Sequence, residues 1–288
     1  MNVTSKVMVI SMITNLGLSI IKIVFGFFGK SGALIADGFH SLSDLITDVF
    51  AIFGSWLSRK PADKKHPYGH GKLEYITSIV ISLMILGVGL GLINNAFHRE
   101  IIIPSVFVIL VSLFTIIVKF ILSGYVLKMG KKYQNNILIS SGYESSTDVI
   151  SSLIVFISVI LIQFSNYIEW FKYADIIATI IIGILVIKIG FDLLKVNLSL
   201  VLDEQVTDEE YLTKIKNIIL QNKEIYKIDQ LIILKNGPYY KLIIELVMDY
   251  QKPLEEVHNI LDDVENELKR YDPKIKYITI HVNPNKNN

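Results

Sequence analysis

The 288-residue sequence contains no cysteine. That absence removes disulfides, thiolate metal sites and cysteine nucleophiles together, so any metal site has to be assembled from His, Asp, Glu and backbone or water oxygen. Charge is scarce as well: 19% of residues are charged against 51% hydrophobic, and the mean hydropathy is +0.48, too apolar for an ordinary soluble protein. Neither sign is in excess, because 28 basic residues nearly balance 27 acidic ones; nothing argues for nucleic acid or a strongly acidic partner. The opening run "MNVTSKVMVISMITNLGLSIIKIVFGFF" lacks a small-residue cleavage pattern and is long enough to span a bilayer, so it reads as a retained first helix. No low-complexity region and no convincing repeat is present.

What is there is a series of long apolar segments. Six have the length of spanning helices: roughly 7–29, 33–57, 74–97, 101–127, 137–164 and 173–200. Basic residues collect in two of the connecting loops: Arg59, Lys60, Lys64, Lys65 and Lys72 after the second segment, and Lys128, Lys131 and Lys132 after the fourth. The opposite loops hold only Lys30, Arg99 and Lys172. The excess of Lys and Arg on cytoplasmic loops then predicts a multi-pass protein of the cell membrane with both termini cytoplasmic. From Asp203 onward apolar residues alternate with charge. "TDEEYLTKIKNIILQNK" predicts a helix with Thr207 as N-cap and Glu210 as its capping-box partner. Two β-rich runs joined at "KNGP" predict a hairpin, "PLEEVHNILDDVENELKRY" an amphipathic helix, and "KIKYITIHVNP" a last strand. The fold class is an α-helical membrane protein, with residues 1–202 forming six transmembrane helices and residues 203–288 a cytoplasmic α+β domain of order αββαβ.

Ionisable residues inside a span cost roughly 2.5–3.5 kcal/mol each, so they face the bundle interior and mark a functional path by default. His40 and Asp44 lie four apart on the second segment, on one helix face. Glu144 and Asp148 repeat the spacing on the fifth, where Ser141, Ser145, Ser151 and Ser152 thin the helix for close packing. Two such helices facing each other offer one imidazole and three carboxylates, the ligand number and types of a tetrahedral divalent site. The competing reading is interhelical hydrogen bonds or helix-end charges. For Asp37 and Asp48 that structural reading is the better one, with outer support of the ligands as the alternative for Asp37. Asn15 and Asp175 are evenly divided between supporting the pathway and ordinary interhelical bonds. Lys119 and Lys188 are read as snorkelling toward the cytoplasmic side. In the loop "RKPADKKHPYGHGKLEY", Asp63, His66 and His70 are close enough in sequence to gather on one ion, although two loop histidines alone are weak evidence. His258 and His281 could meet if the last strand lies under the second tail helix.

With "SGALIADGFHSLSD", "PADKKHPYGHGKLEY" and "GYESSTDVISS" occurring in that order, the chain resembles the cation diffusion facilitator family, proton-coupled exporters of divalent transition metals. The resemblance covers nearly the whole chain. It implies a transport site at His40, Asp44, Glu144 and Asp148 and a loop site at Asp63, His66 and His70. It also implies a metallochaperone-like tail that forms a homodimer and senses metal through Asp229, Glu245, His258 and His281, and a dimer-locking ion pair between Lys72 and Asp203. Members commonly carry aspartate where Asn283 stands, and zinc members commonly carry histidine where Glu144 stands. A carboxylate there makes the site harder; the expectation remains Zn²⁺ first, with Mn²⁺ or Fe²⁺ as alternatives and Co²⁺ and Cd²⁺ as further candidates, exchanged for protons across the bilayer. The expectation is a transporter, not an enzyme. Rival readings are a membrane metal receptor that does not translocate and an intramembrane metallohydrolase, the latter disfavoured because no HExxH-like helix occurs.

Overall fold

The computed structural model describes residues 3–133 and 135–285. Six long helices come first: α1 (Val3–Phe28), α2 (Gly32–Ser58), α3 (Leu73–His98), α4 (Phe107–Lys132), α5 (Asn136–Gln163) and α6 (Ala174–Val201), the last preceded by a 3₁₀ turn at Glu169–Tyr173. Among the described residues, five of these are both long and apolar enough to cross a membrane. The sixth, α2, has the length, 27 residues or about 40 Å at 1.5 Å per residue, but carries Asp37, Asp44 and Asp48. Of Asp48 only the helical position is described; its side chain lies outside the described residues.

Predicted segment ends hold within a few residues except at the fourth. The apolar run Ile101–Ile103 precedes the helix instead of beginning it, because Pro104 pushes the residue before it out of the α region. The Pro104 carbonyl accepts from Gln163 Nε2 at 2.9 Å, and the chain turns into α4 at Phe107.

The chain divides into two compact units. The first comprises residues up to Phe50 together with Val80–Leu194. Its surface is apolar, with Phe27, Phe97, Phe120 and Ile121 exposed, while Lys22, Asp37, His40, Lys119 and Asp148 are buried beside an apolar cluster that includes Leu34, Ile85, Val159 and Ile182. Such an arrangement suits a lipid solvent, in which polar groups find partners only inside the protein.

The second unit joins residues 51–79 to residues 195–288. It contains α7 (Glu209–Leu220), β1 (Lys227–Asn236), β2 (Tyr239–Asp249), α8 (Leu254–Tyr271) and β3 (Ile275–Asn285), the predicted order. The N-cap of α7 is Asp208, not Thr207: its carboxylate accepts from the Glu210 and Tyr211 amides, and a charged acceptor at a helix start is favoured by the dipole as well. The sheet runs β1-β2-β3, antiparallel then parallel. Gly237, at φ 62°, makes the positive-φ turn between β1 and β2. Leu242, Ile244, Leu246 and Met248 point to the face covered by α7 and α8, where Ile215, Ile219, Ile260, Val264 and Leu268 complete the core.

Candidate metal centre

The start of α2 is held by a residue far along the chain. Asp175 of α6 accepts from Ser31 Oγ at 2.6 Å and from the Gly32 amide at 2.7 Å, satisfying amides that a helix N-terminus leaves unpaired. Arg99 lies 3.6 Å from the same carboxylate. Asp175 therefore caps α2 and stands outside the ligand group, which favours the interhelical side of its divided reading.

Two turns further along α2, His40 and Asp44 share one face, with His40 Nδ1 and Asp44 Oδ2 3.9 Å apart. Asp148 of α5 joins them: one ligand atom from each of the three lies within 4.8 Å of the others. His40 and Asp148 are buried, and His40 Nδ1 has no hydrogen-bond partner among the described residues. Glu144, one turn before Asp148, is outside this cluster; its exposed side chain lines a cavity of about 480 Å³ with His40, Asp44, Asp148, Lys188 and Asp192. The predicted four-residue set thus becomes three converging side chains and a fourth carboxylate on the cavity wall.

The surroundings correct the sequence reading of Lys119. Lys119 of α4 does not snorkel. Its side chain is 3% exposed and its ammonium lies 2.8 Å from Asp148 Oδ2 and 2.8 Å from Asn15 Oδ1, so Asn15 acts on the site through Lys119. Lys188 lines the cavity. Lys22 of α1, which sequence reasoning passes over, is buried against Asp37 at 2.8 Å and donates to Ser41 and Ser152. Asp37 also accepts from Ser151 at 3.0 Å and Ser152 at 2.8 Å. Asp37 is therefore an ion-pair partner joining α1, α2 and α5, and these two serines are donors as well as spacers. Gly38 makes the approach possible: a β-carbon there would sit 2.6 Å from Ile23 and 3.1 Å from Lys22. The signal for this pairing in the sequence is Lys22 inside the apolar stretch of one helix, followed by Asp37 among small residues near the start of the next.

A second cluster forms in the loop before α3. Asp63 Oδ1 accepts from the Lys65 and His66 amides at 2.9 and 2.7 Å and lies 3.1 Å from His66 Nδ1. Backbone donation from His66 holds the Asp63 carboxyl below the usual carboxylate range. His70 Nδ1 lies 3.1 Å from the Pro61 carbonyl. A carbonyl only accepts, so Nδ1 carries a proton and Nε2, 3.4 Å from Asp63 Oδ2, is the nitrogen that faces the cluster. Asp63, His66 and His70 thus gather as expected. The loop is tied to the β1–β2 hairpin: Asn236 Nδ2 donates to the Tyr68 carbonyl at 3.1 Å, the Gly237 amide to Tyr75 Oη at 2.7 Å, and Lys241 stands 3.8 Å above the Tyr68 ring. Neither tyrosine stands out in the sequence. Lys72 and Asp203 pair at 2.8 Å, both partly exposed, and Asp203 adopts a φ of 63°.

The four tail residues do not converge within one chain. Glu245 and His281 are register partners on β2 and β3. They lie on the face opposite the core residues Ile244 and Leu246. His258 is on α8, which covers the other face, and lies 3.5 Å from Asp262. The strand does lie under the helix, but alternation turns His281 away from it. Asp229 is engaged by Lys227 at 2.8 Å and by Asn283 at 3.2 Å, and the Lys227 contact lowers its carboxyl from the ordinary value.

Comparison with known proteins gives two family matches. The cation efflux transmembrane domain matches residues 8–202, and the cytoplasmic domain of cation efflux proteins matches residues 207–285. The manganese efflux system protein MneP of Bacillus subtilis (strain 168) is 31% identical over 98% of this chain and 96% of its own. MneS of the same organism, also a manganese efflux system protein, is 26% identical over 96% and 93%. The magnetosome protein MamB of Paramagnetospirillum magneticum is 26% identical over 93% and 90%.

Proposed function

Because the chain belongs to the cation diffusion facilitator family, a family of membrane metal-cation transporters, we propose that it exports Mn²⁺ in exchange for protons. The single observation that carries the reading is the convergence of His40, Asp44 and Asp148 from α2 and α5 on one point. Metal and protons compete for such groups, since ligands must be deprotonated to bind. In this reading the ion enters from the cytoplasm and is held by His40, Asp44 and Asp148 with Glu144 adding a fourth oxygen. It is released on the far side as protons replace it, His40 being the main carrier because an ordinary imidazole titrates nearest neutral pH.

The choice of ion reverses the order expected from sequence. Oxygen ligands outnumber nitrogen in the site, and carboxylate suits Mn²⁺ better than it suits softer ions; two of the matched relatives are named for manganese efflux. Zn²⁺ becomes the alternative cargo. The transport unit would comprise residues 1–202 and the tail, residues 203–288, would pair two copies of the chain, with the N-terminus cytoplasmic like the tail. The Asp63, His66 and His70 loop would bind metal next to the tail's hairpin.

The test is uptake of Mn²⁺ and Zn²⁺ into proteoliposomes under an imposed pH gradient. Parent protein is expected to concentrate Mn²⁺ in preference to Zn²⁺, and Asp148→Ala to lose flux by about two orders of magnitude, as when a ligand and its surrounding bonds are lost together. Flux indifferent to the pH gradient would refute proton exchange; binding without flux would mark a receptor.

A further inference from the structure

We propose that Lys119 is a resident counter-cation of the transport site, which an arriving divalent ion must push off Asp148. The inference rests on the transport reading and adds to it a residue outside the ligand set.

A lysine in a spanning helix normally extends its ammonium to the water. Lys119 instead keeps it inside, 3% exposed, between Asp148 and Asn15, at the cost that intramembrane charge carries. The other buried lysine shows what a fastening looks like: Lys22 and Asp37 are each 1% exposed, have three serines as partners between them, with Ser152 bonded to both, and Asp37 is not one of the converging residues. Lys119 differs because its acid belongs to the ligand cluster. It occupies Asp148 Oδ2, on a carboxylate that a bound ion would share, and a fixed positive charge that close opposes a second cation directly. Asn15 holds the other side of the ammonium, so a displaced lysine keeps a polar partner.

Charge counting gives the same result. Asp44, Asp148 and Glu144 bring three negative charges to the cavity, while Lys188 and Asp192 on its α6 wall cancel. With Lys119 the net charge is −2, which one divalent ion neutralises; without it the loaded site would retain one negative charge. Lys119 thereby matches a three-carboxylate site to a doubly charged cargo and keeps binding weak enough for release, the condition for any conducting site.

The experiment measures Mn²⁺ binding to the purified full-length protein by titration calorimetry and Mn²⁺ flux in proteoliposomes, for parent, Lys119→Met, Lys119→Gln and Lys119→Arg. Removing the charge is expected to tighten binding about tenfold and to lower KM and kcat together, because release slows as binding strengthens. Lys119→Gln keeps donors for Asp148 and Asn15 and covers the case in which Lys119→Met does not fold. Lys119→Arg keeps the charge and is expected to bind no more tightly than the parent. Equal or weaker binding in the folded neutral variants, or tightening in the arginine variant, overturns the proposal. A parent protein that binds neither Mn²⁺ nor Zn²⁺ overturns instead the transport reading on which it rests.

Discussion

His40, Asp44 and Asp148 come from two helices far apart in the sequence, with His40 and Asp148 buried and Asp44 half-buried, beside ion-paired lysines. Asp63, His66 and His70 come from one short loop, folded around an aspartate that accepts two backbone amides. The first group exists only because a helix bundle has packed, whereas the second is made by a local turn. Disturbing the helix packing should therefore damage the first site severely, while the second should respond mainly to changes in the loop and in the hairpin that holds it.

The largest effect is expected from Lys22→Met, which leaves Asp37 buried without its cation. A broken buried pair costs about 3–5 kcal/mol, visible as a lowered thermal midpoint in detergent, and Lys22→Met combined with Asp37→Leu should recover most of it. If the single variant is as stable as the parent, the bundle does not depend on that pair and the contrast between the sites weakens. Next comes Glu144→His, which replaces an oxygen on the cavity wall by nitrogen; the ratio of Zn²⁺ to Mn²⁺ flux should rise roughly tenfold, and an unchanged ratio would place selectivity elsewhere. His66→Ala should raise the metal concentration for half-maximal flux only a few-fold, with the maximal rate retained, as befits an exposed site. The lowered Asp63 carboxyl adds a pH arm. Because its folded pKa lies below the ordinary value near 3.9, its contribution is present at neutral pH and is lost only as pH falls below the usual carboxylate range. Loop amide exchange followed down to that range would detect an earlier loss. The smallest effect should come from Lys72→Ala. Its pair with Asp203 is partly exposed, so the change in stability should stay within about 1 kcal/mol.

Much of this is legible in the chain. Four-residue spacing puts His40 with Asp44 and Glu144 with Asp148, and length with apolarity marks the helices, because both depend on periods of a single element. Tail order follows from turn residues such as Asn236–Gly237 for the same reason. Lys119 misleads because a Lys within an apolar helix looks the same whether it reaches for water or for Asp148; only the neighbouring helix decides. Spacing groups Glu144 with its partner, while its distance from the cluster depends on helix rotation. His258 and His281 are separated by topology: alternation along β3 is readable, but which face α8 covers is not. Proline's effect at Pro104 is local and could have been foreseen.

The two buried lysine–aspartate pairs have a consequence for biogenesis. Lys22 and Asp37 lie on α1 and α2, Lys119 and Asp148 on α4 and α5, so each pair joins helices made one after the other. A lone helix carrying an acid or a lysine enters hydrocarbon at about 2.5–3.5 kcal/mol per charge, and α2 is the long helix that falls short of a self-sufficient span. A hairpin that has already neutralised its own charges avoids most of that penalty. For this chain, bringing α1 and α2 into the bilayer as a pair therefore costs less than bringing in each alone.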